Sequence, residues 1–253
     1  MSSIIDCAIM KRAKREYRAK TILRFAMEID HCVFPDSLLY DSENNTWANA
    51  LKTGEVTLGI TSLLAAIAGR LTSFRPKPIG SVVAKGSSLA TLENERFVGP
   101  VPSPLTGIIL ATNEQAAVMP KLVNDSPYSE GWIARIRPTK LVEEAPLLSS
   151  IQDVQGLFRQ RIVQYHVRCF KAFPDQELYE IGVECSAVLM RLNELISSLP
   201  IGAVVHLVSD DPTAYVEMVR WADMSGQTLV DWRTDGNLLH FIVRKVKSSH
   251  LVP

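Results

Sequence analysis

Between Phe34 and Pro138 turn residues interrupt the chain every few positions, and that punctuation limits the fold more than any other feature. Trp47–Leu51 and Glu55–Ile60 read as two strands joined at Lys52–Thr53–Gly54. Gly80–Leu92 and Ser103–Asn113 read as two glycine-punctuated strand units. They flank the stretch LATLENERFVGPVPSP (Leu89–Pro104), itself strand, tight turn, strand. One short helix breaks the series: Thr61 is a capping residue, and Leu63, Leu64, Ile67, Ala68 and Leu71 follow at helical spacing. Short strands with regular turn signals predict a small β-rich barrel or sandwich.

At Pro146 the period changes. Leu147, Leu148, Ile151, Val154, Leu157, Phe158 and Ile162 recur at helical spacing, so 147–170 reads as a connecting helix. Beyond it, Leu178–Ile181 is a strand, and Val188, Leu189, Leu192, Leu195, Ile196 and Leu199 line one face of a helix. Val204–Val208 is a strand, Asp211–Pro212 opens a second helix and Gly226 closes it. Thr228–Trp232 and Leu238–Lys245 form a hairpin around Thr234–Asp235–Gly236–Asn237. The order βαβαββ predicts a two-layer α/β sandwich with both helices on one face of the sheet. The fold class is therefore α+β in two domains.

At 253 residues and 47% hydrophobic, the chain can bury a sizeable core. Its formal net charge of zero gives no overall field, so composition points to neither nucleic acid nor membrane as a partner. The longest uncharged apolar run, Val56–Gly69, is too short to span a bilayer. Cys7, Cys32, Cys169 and Cys185 are scattered without a CxxC, which argues against a disulfide scaffold and a zinc ribbon and for a reducing, cytoplasmic protein. His166 and Cys169 have HxxC spacing, but two ligands make no metal site; a buried cysteine beside a half-exposed histidine is the plainer reading. The first 33 residues carry Lys11, Arg12, Lys14, Arg15, Arg18, Lys20 and Arg24 on an incomplete helical stripe. That reads as a solvated basic helix, with an anionic partner, a membrane surface or targeting as the functional alternatives.

Two families resemble parts of this pattern. Residues 34–139 are similar to the H protein of the glycine cleavage system, a lipoyl carrier, through FPDSLLYDSENNTWA (Phe34–Ala48), VTLGIT (Val56–Thr61) and PKLVNDSPYSEGWIARIRP (Pro120–Pro138). The resemblance implies a barrel-sandwich hybrid of the lipoyl/biotinyl type. It also implies that the hairpin is the lipoyl-bearing turn, where that family has ESVKA ahead of a later SP. Counted back from Ser103–Pro104, Glu93–Asn94–Glu95–Arg96–Phe97 falls on those positions, and Arg96 takes the lysine's place. A guanidinium stays protonated and delocalises its lone pairs, so it cannot attack an activated acyl group. Lys77 and Lys85 precede the hairpin. The domain is therefore expected to carry no lipoate; Arg96 is either an exposed turn residue or a docking contact.

The second resemblance, about 177–246 within the section 177–253, is to the TusA/SirA-like sulfur carriers, whose first helix opens with G-x-x-C-P-x-P. Here Gly182–Val183–Glu184–Cys185–Ser186–Ala187–Val188 keeps the glycine and cysteine but neither proline. Cys185 also stands, by local reading, where strand gives way to helix. Helix N-termini offer unpaired amides and positive partial charge, which favour a thiolate. Arg191 would support that anion and Glu184 oppose it. The alternative is a small buried hydrophobe.

Residues 140–176 then serve as connecting helix and linker. The expected function is persulfide relay on Cys185, between sulfur-donor and sulfur-acceptor proteins. The H-protein-like part would dock proteins that recognise lipoyl carriers. The alternatives are a non-catalytic interaction protein with Cys185 inert, or a glycine cleavage carrier modified at another lysine.

Overall fold

The structure, a computed structural model, describes residues 25–248. Residues 1–24 of the basic N-terminal segment lie outside the described residues, and the last part of that segment, expected to be helical, is instead a strand pair, Ala26–Ile29 with Cys32–Pro35, with Ile29 buried. The chain divides into two compact units, Met1–Cys169 and Phe170–Pro253.

In the first unit a hairpin joins β1 (Ala26–Ile29) to β2 (Cys32–Pro35), with Asp30 and His31 at positive φ in its turn. There follow β3 (Leu39–Asp41), β4 (Thr46–Ala50) and β5 (Val56–Ile60). Leu51 N–H bonds to the Glu55 carbonyl and Gly54 takes φ 80°, so the turn closes at the glycine the sequence marks. Helix α1 (Ser62–Ala68) begins at Thr61, whose hydroxyl accepts from Leu64 N–H. Strands β6 (Ser73–Pro76), β7 (Val82–Val83), β8 (Ser88–Glu93), β9 (Val98–Pro102) and β10 (Gly107–Thr112) lead to short helices α2 (Glu114–Val118) and α3 (Leu122–Asp125). Strand β11 (Ala134–Pro138), helix α4 (Leu141–Glu144), one 3-10 turn and helix α5 (Ile151–Gln164) complete the unit.

The strands form a six-stranded sheet in the order β3-β4-β5-β11-β10-β7, a three-stranded sheet β6-β8-β9, and the β1-β2 pair. Val56, Leu58, Ile109 and Ile136 from the larger sheet share one core with Leu89, Leu92 and Val101 from the smaller. The hairpin β8–β9 is rooted in that core, and its turn projects from it.

A second core in this unit corrects the reading of 147–170 as a connector. Ser150 caps α5 by accepting from Asp153 N–H, and Ile151, Val154, Phe158 and Ile162 face inward at helical spacing. They meet Ile29, Phe34, Tyr40 and Trp47; the Phe34 and Phe158 rings stack 4.7 Å apart, with Tyr40 edge-on to both. The stripe was legible, but the surface it covers comes from strands more than a hundred residues earlier. Cys169 lies beyond the helix and is bonded to Cys32, which corrects the reading of scattered free cysteines. A bridge across 137 residues leaves no local spacing signal. Cys169 is thus no metal ligand, and no group of three metal-ligating side chains exists among the described residues.

The second unit runs β12 (Gln176–Glu180), α6 (Cys185–Ser198), β13 (Val204–Ser209), α7 (Ala214–Ser225), β14 (Thr228–Asp235), β15 (Leu238–Arg244). The sheet order is β12-β13-β15-β14, parallel between β12 and β13 and antiparallel elsewhere. Val188, Leu192 and Ile196 of α6 and Met218 and Trp221 of α7 pack with Val205, Leu207, Phe241 and Val243, so both helices cover one face. The Lys245 ammonium donates to the carbonyls of Ile196, Ser197 and Leu199 and closes the end of α6. Gly226, left-handed at φ 64°, ends α7 as its sequence position implies.

Candidate functional site

The hairpin turn is built by Asn94. Glu93 pairs with Val98, and Asn94 N–H donates to the Phe97 carbonyl at 2.8 Å, leaving Glu95 and Arg96 at the apex. The Asn94 side-chain oxygen accepts from both Arg96 and Phe97 N–H at 2.8 Å, an Asx turn closed by one side chain. Its amide donates to the Ala68 carbonyl at 2.5 Å, fastening the apex to the end of α1. The Phe97 ring folds over Gly99 and packs on the first core, while Arg96 is exposed. Glu93 pairs with Arg75 across the sheet at 2.6 Å. The turn and the position of Arg96 are legible in the sequence; the anchoring by Asn94 is not, although an asparagine closing a strand is the available signal.

Neither nearby lysine lies at the apex. Lys85 precedes β8, at the hairpin's base, and the six residues of that strand, roughly 20 Å, separate it from the turn. Its ammonium lies 3.5 Å from the buried Asp41 carboxylate and 3.4 Å from the Pro104 carbonyl. Lys77 N–H bonds to the Leu89 carbonyl, beside the same end of the strand.

These features sit inside a recognisable domain: the glycine cleavage H-protein family model matches residues 38–160. Glycine cleavage system H protein 5 of Aquifex aeolicus (strain VF5) is 38% identical over 146 residues, covering 56% of this chain and 98% of that protein. The chain belongs to the glycine cleavage H-protein family. H protein 3 of the same organism is 41% identical over 149 residues, 58% of this chain and 92% of its own length. The crystal structure of a glycine cleavage system H protein from Mycobacterium marinum is 26% identical, covers 49% of this chain and 98% of that one, and gives a TM-score of 0.44. The family is one of lipoyl carriers, and this H-protein domain does not fit that group at its apex. Attachment needs an amine that can lose its proton, and Arg96 offers none.

The second candidate, Cys185, is the first residue of α6 and, among the described residues, the cysteine outside the disulfide. It is half-buried at the end of the sheet where parallel β12 and β13 finish. The charges that face it are negative. Glu184 makes no side-chain cap, and the Cys185 N–H has the Asp211 carboxylate, from the loop after β13, near it as an electrostatic partner. Thr213 donates to Asp211 from its amide at 2.8 Å and its hydroxyl at 2.7 Å, and with Cys185 N–H holds that carboxyl below the usual range. Burial pushes the Cys185 thiol up, and the charges of Asp211 and Glu217 push it further. Arg191 does not offset them; its guanidinium is engaged with the buried Glu180 carboxylate. The start of α6 thus brings the Cys185 thiol and the Asp211 carboxylate to the same end of the sheet.

Proposed function

We propose that this protein is an H-protein-type domain without a lipoyl arm, serving as a docking module for proteins that handle lipoyl carriers. The observation that carries this reading is the apex itself. The lipoyl-type turn is held in place by Asn94, yet presents a guanidinium where an amine is required. A turn fixed in this way retains a recognition surface after its chemistry is gone. Partners of that description include the enzymes of glycine cleavage and the ligases that lipoylate carriers.

Competition tests it. The full chain, added to a lipoate ligase acting on an authentic H protein, should slow lipoylation of that protein while gaining no lipoyl mass itself. Arg96→Glu should weaken the inhibition. Acquisition of a lipoyl group by the wild type, or absence of competition, would sink the proposal.

A second reading concerns the other unit, whose segment 177–246 resembles TusA-like sulfur carriers. Cys185 is a free, half-buried thiol at the opening of α6, and a persulfide carried there, against the restraint of Asp211 and Glu217, would pass between sulfur-donor and sulfur-acceptor proteins. Intact mass after incubation with a persulfide donor reads this directly: one sulfur gained by the wild type and none by Cys185→Ser.

A further inference from the structure

We infer that the Cys32–Cys169 bridge is a thiol-exchange site, and that its reduction lengthens the connector between the two units. Cys32 is fully buried in β2, whereas Cys169 is half-buried and is the last residue of the first unit. After α5 the chain reverses at His166, left-handed at φ 50°, and Val167 N–H bonds to the Ile162 carbonyl at 2.9 Å. Val167 and Cys169 then lie against the second core, outside any helix or strand. The next residue, Phe170, packs with Val204 and Ile242 in the second unit. The disulfide therefore fastens the chain at the boundary itself. Opening it leaves 166–169 held by non-covalent contacts alone, and their release adds roughly 13 Å of reach at full extension.

The sulfurs are also unequal in a way that suits exchange. A dithiol reductant attacks the accessible sulfur, so its first thiolate bonds to Cys169 Sγ and Cys32 leaves as a thiolate that takes a proton. The dithiol's second thiolate then displaces Cys169, closing the reductant's own disulfide. Two electrons and two protons pass to the protein, and the reductant is oxidised by the same amount. Cys32 is left as a neutral thiol among Ile29, Phe34 and Ile162, surroundings that suit a small apolar group. Reduction thus opens the connector without opening the core.

The test uses the full chain with and without dithiothreitol, in the absence of denaturant. Without reductant, Cys32 and Cys169 should resist alkylation; with it, both should label, Cys169 first. Trypsin should cut after Arg168 and Lys171 about tenfold faster in the reduced protein, with the far-ultraviolet circular dichroism unchanged. Cys169→Ser should be cut at the reduced rate under both conditions, and the wild-type comparison stands by itself should that variant misfold. The inference is overturned if both cysteines label without reductant, if the bond opens only on denaturation, or if it opens and cleavage does not change.

Discussion

The side-chain amide of Asn94, at the apex of the β8–β9 hairpin, donates to the carbonyl of Ala68, in the last turn of α1. The carbonyls at a helix end have no partner within the helix, so something outside must supply donors. Here Asn94 takes Ala68, while Asn124 of α3 donates to Ala65 and Gly69 and accepts from Leu71 N–H. Gly69 itself sits at φ 72°, where a Cβ would also stand 3.2 Å from the Asn94 amide nitrogen. The end of α1 and the candidate site are therefore one hydrogen-bonded assembly.

Asn94→Ala removes the bond to Ala68 and both bonds inside the turn, leaving exposed donors that water can partly satisfy. We expect a loss of about 1–3 kcal/mol in denaturant unfolding, with faster amide exchange at Arg96 and Phe97 than elsewhere in the first unit. Unchanged exchange at those amides would show that the turn is held by the strands alone.

Cys185 should behave as a restrained thiol. Asp211→Asn keeps the oxygen that accepts from Thr213 and removes the charge facing Cys185, so alkylation near neutral pH should quicken about two- to fivefold. In strong alkali, where both proteins are ionised, the rates should converge. The linkage has a definite sign. A thiol raised in the folded state contributes stability that is complete below the unfolded value, about pH 8.5, and is lost as pH rises through the folded one. Cys185→Ser should flatten that alkaline loss. Asp211, lowered in the folded state, works oppositely: its contribution is present above the usual carboxylate range and falls away in acid.

What the sequence shows of this protein depends on how far apart the interacting groups lie. Thr61, Gly54 and Gly226 act on their immediate neighbours, and their caps and turns are where the letters place them. The apex position of Arg96 is equally local. Asp211 is readable as the start of α7, yet its charge also faces Cys185 at the start of α6, a pairing that exists only once β12 and β13 lie side by side. The Cys32–Cys169 bond and the face of α5 have the same cause: each needs a partner from the other end of the unit.

That long-range packing predicts where the chain can be cut. Truncation after Thr139 deletes α5 and exposes Phe34, Tyr40 and Trp47, large aromatics buried to 2% exposure or less. Such a fragment should bind a hydrophobic dye and aggregate, whereas one ending after Cys169 should unfold cooperatively. The second unit should start at Phe170 and not near Pro174, because Phe170 and Ala172 cover Val204 and Ile242. Equal stability of fragments starting at 170 and 174 would count against that boundary.

The last prediction returns to the apex. Nothing in the backbone of the turn depends on the Arg96 side chain, which is exposed; the turn is set by Asn94 and by Phe97 on the core. Arg96→Lys should therefore leave the thermal midpoint unchanged while placing a titratable amine at a preformed apex. Offered to a lipoate ligase, or to octanoyl transfer followed by sulfur insertion, the variant should gain the lipoyl mass at residue 96. The wild type should gain none, and Lys85, paired with Asp41 at the hairpin base, should stay unmodified in both. Should Arg96→Lys remain bare, Glu95→Ser added to it, which leaves Asn94 and Phe97 in place, would separate two causes. Recovery would assign the block to the Glu95 side chain, and continued failure would show that the turn no longer has the geometry of an attachment site. Lipoylation of the wild type at Lys85 would mean that the arm has moved and not been lost.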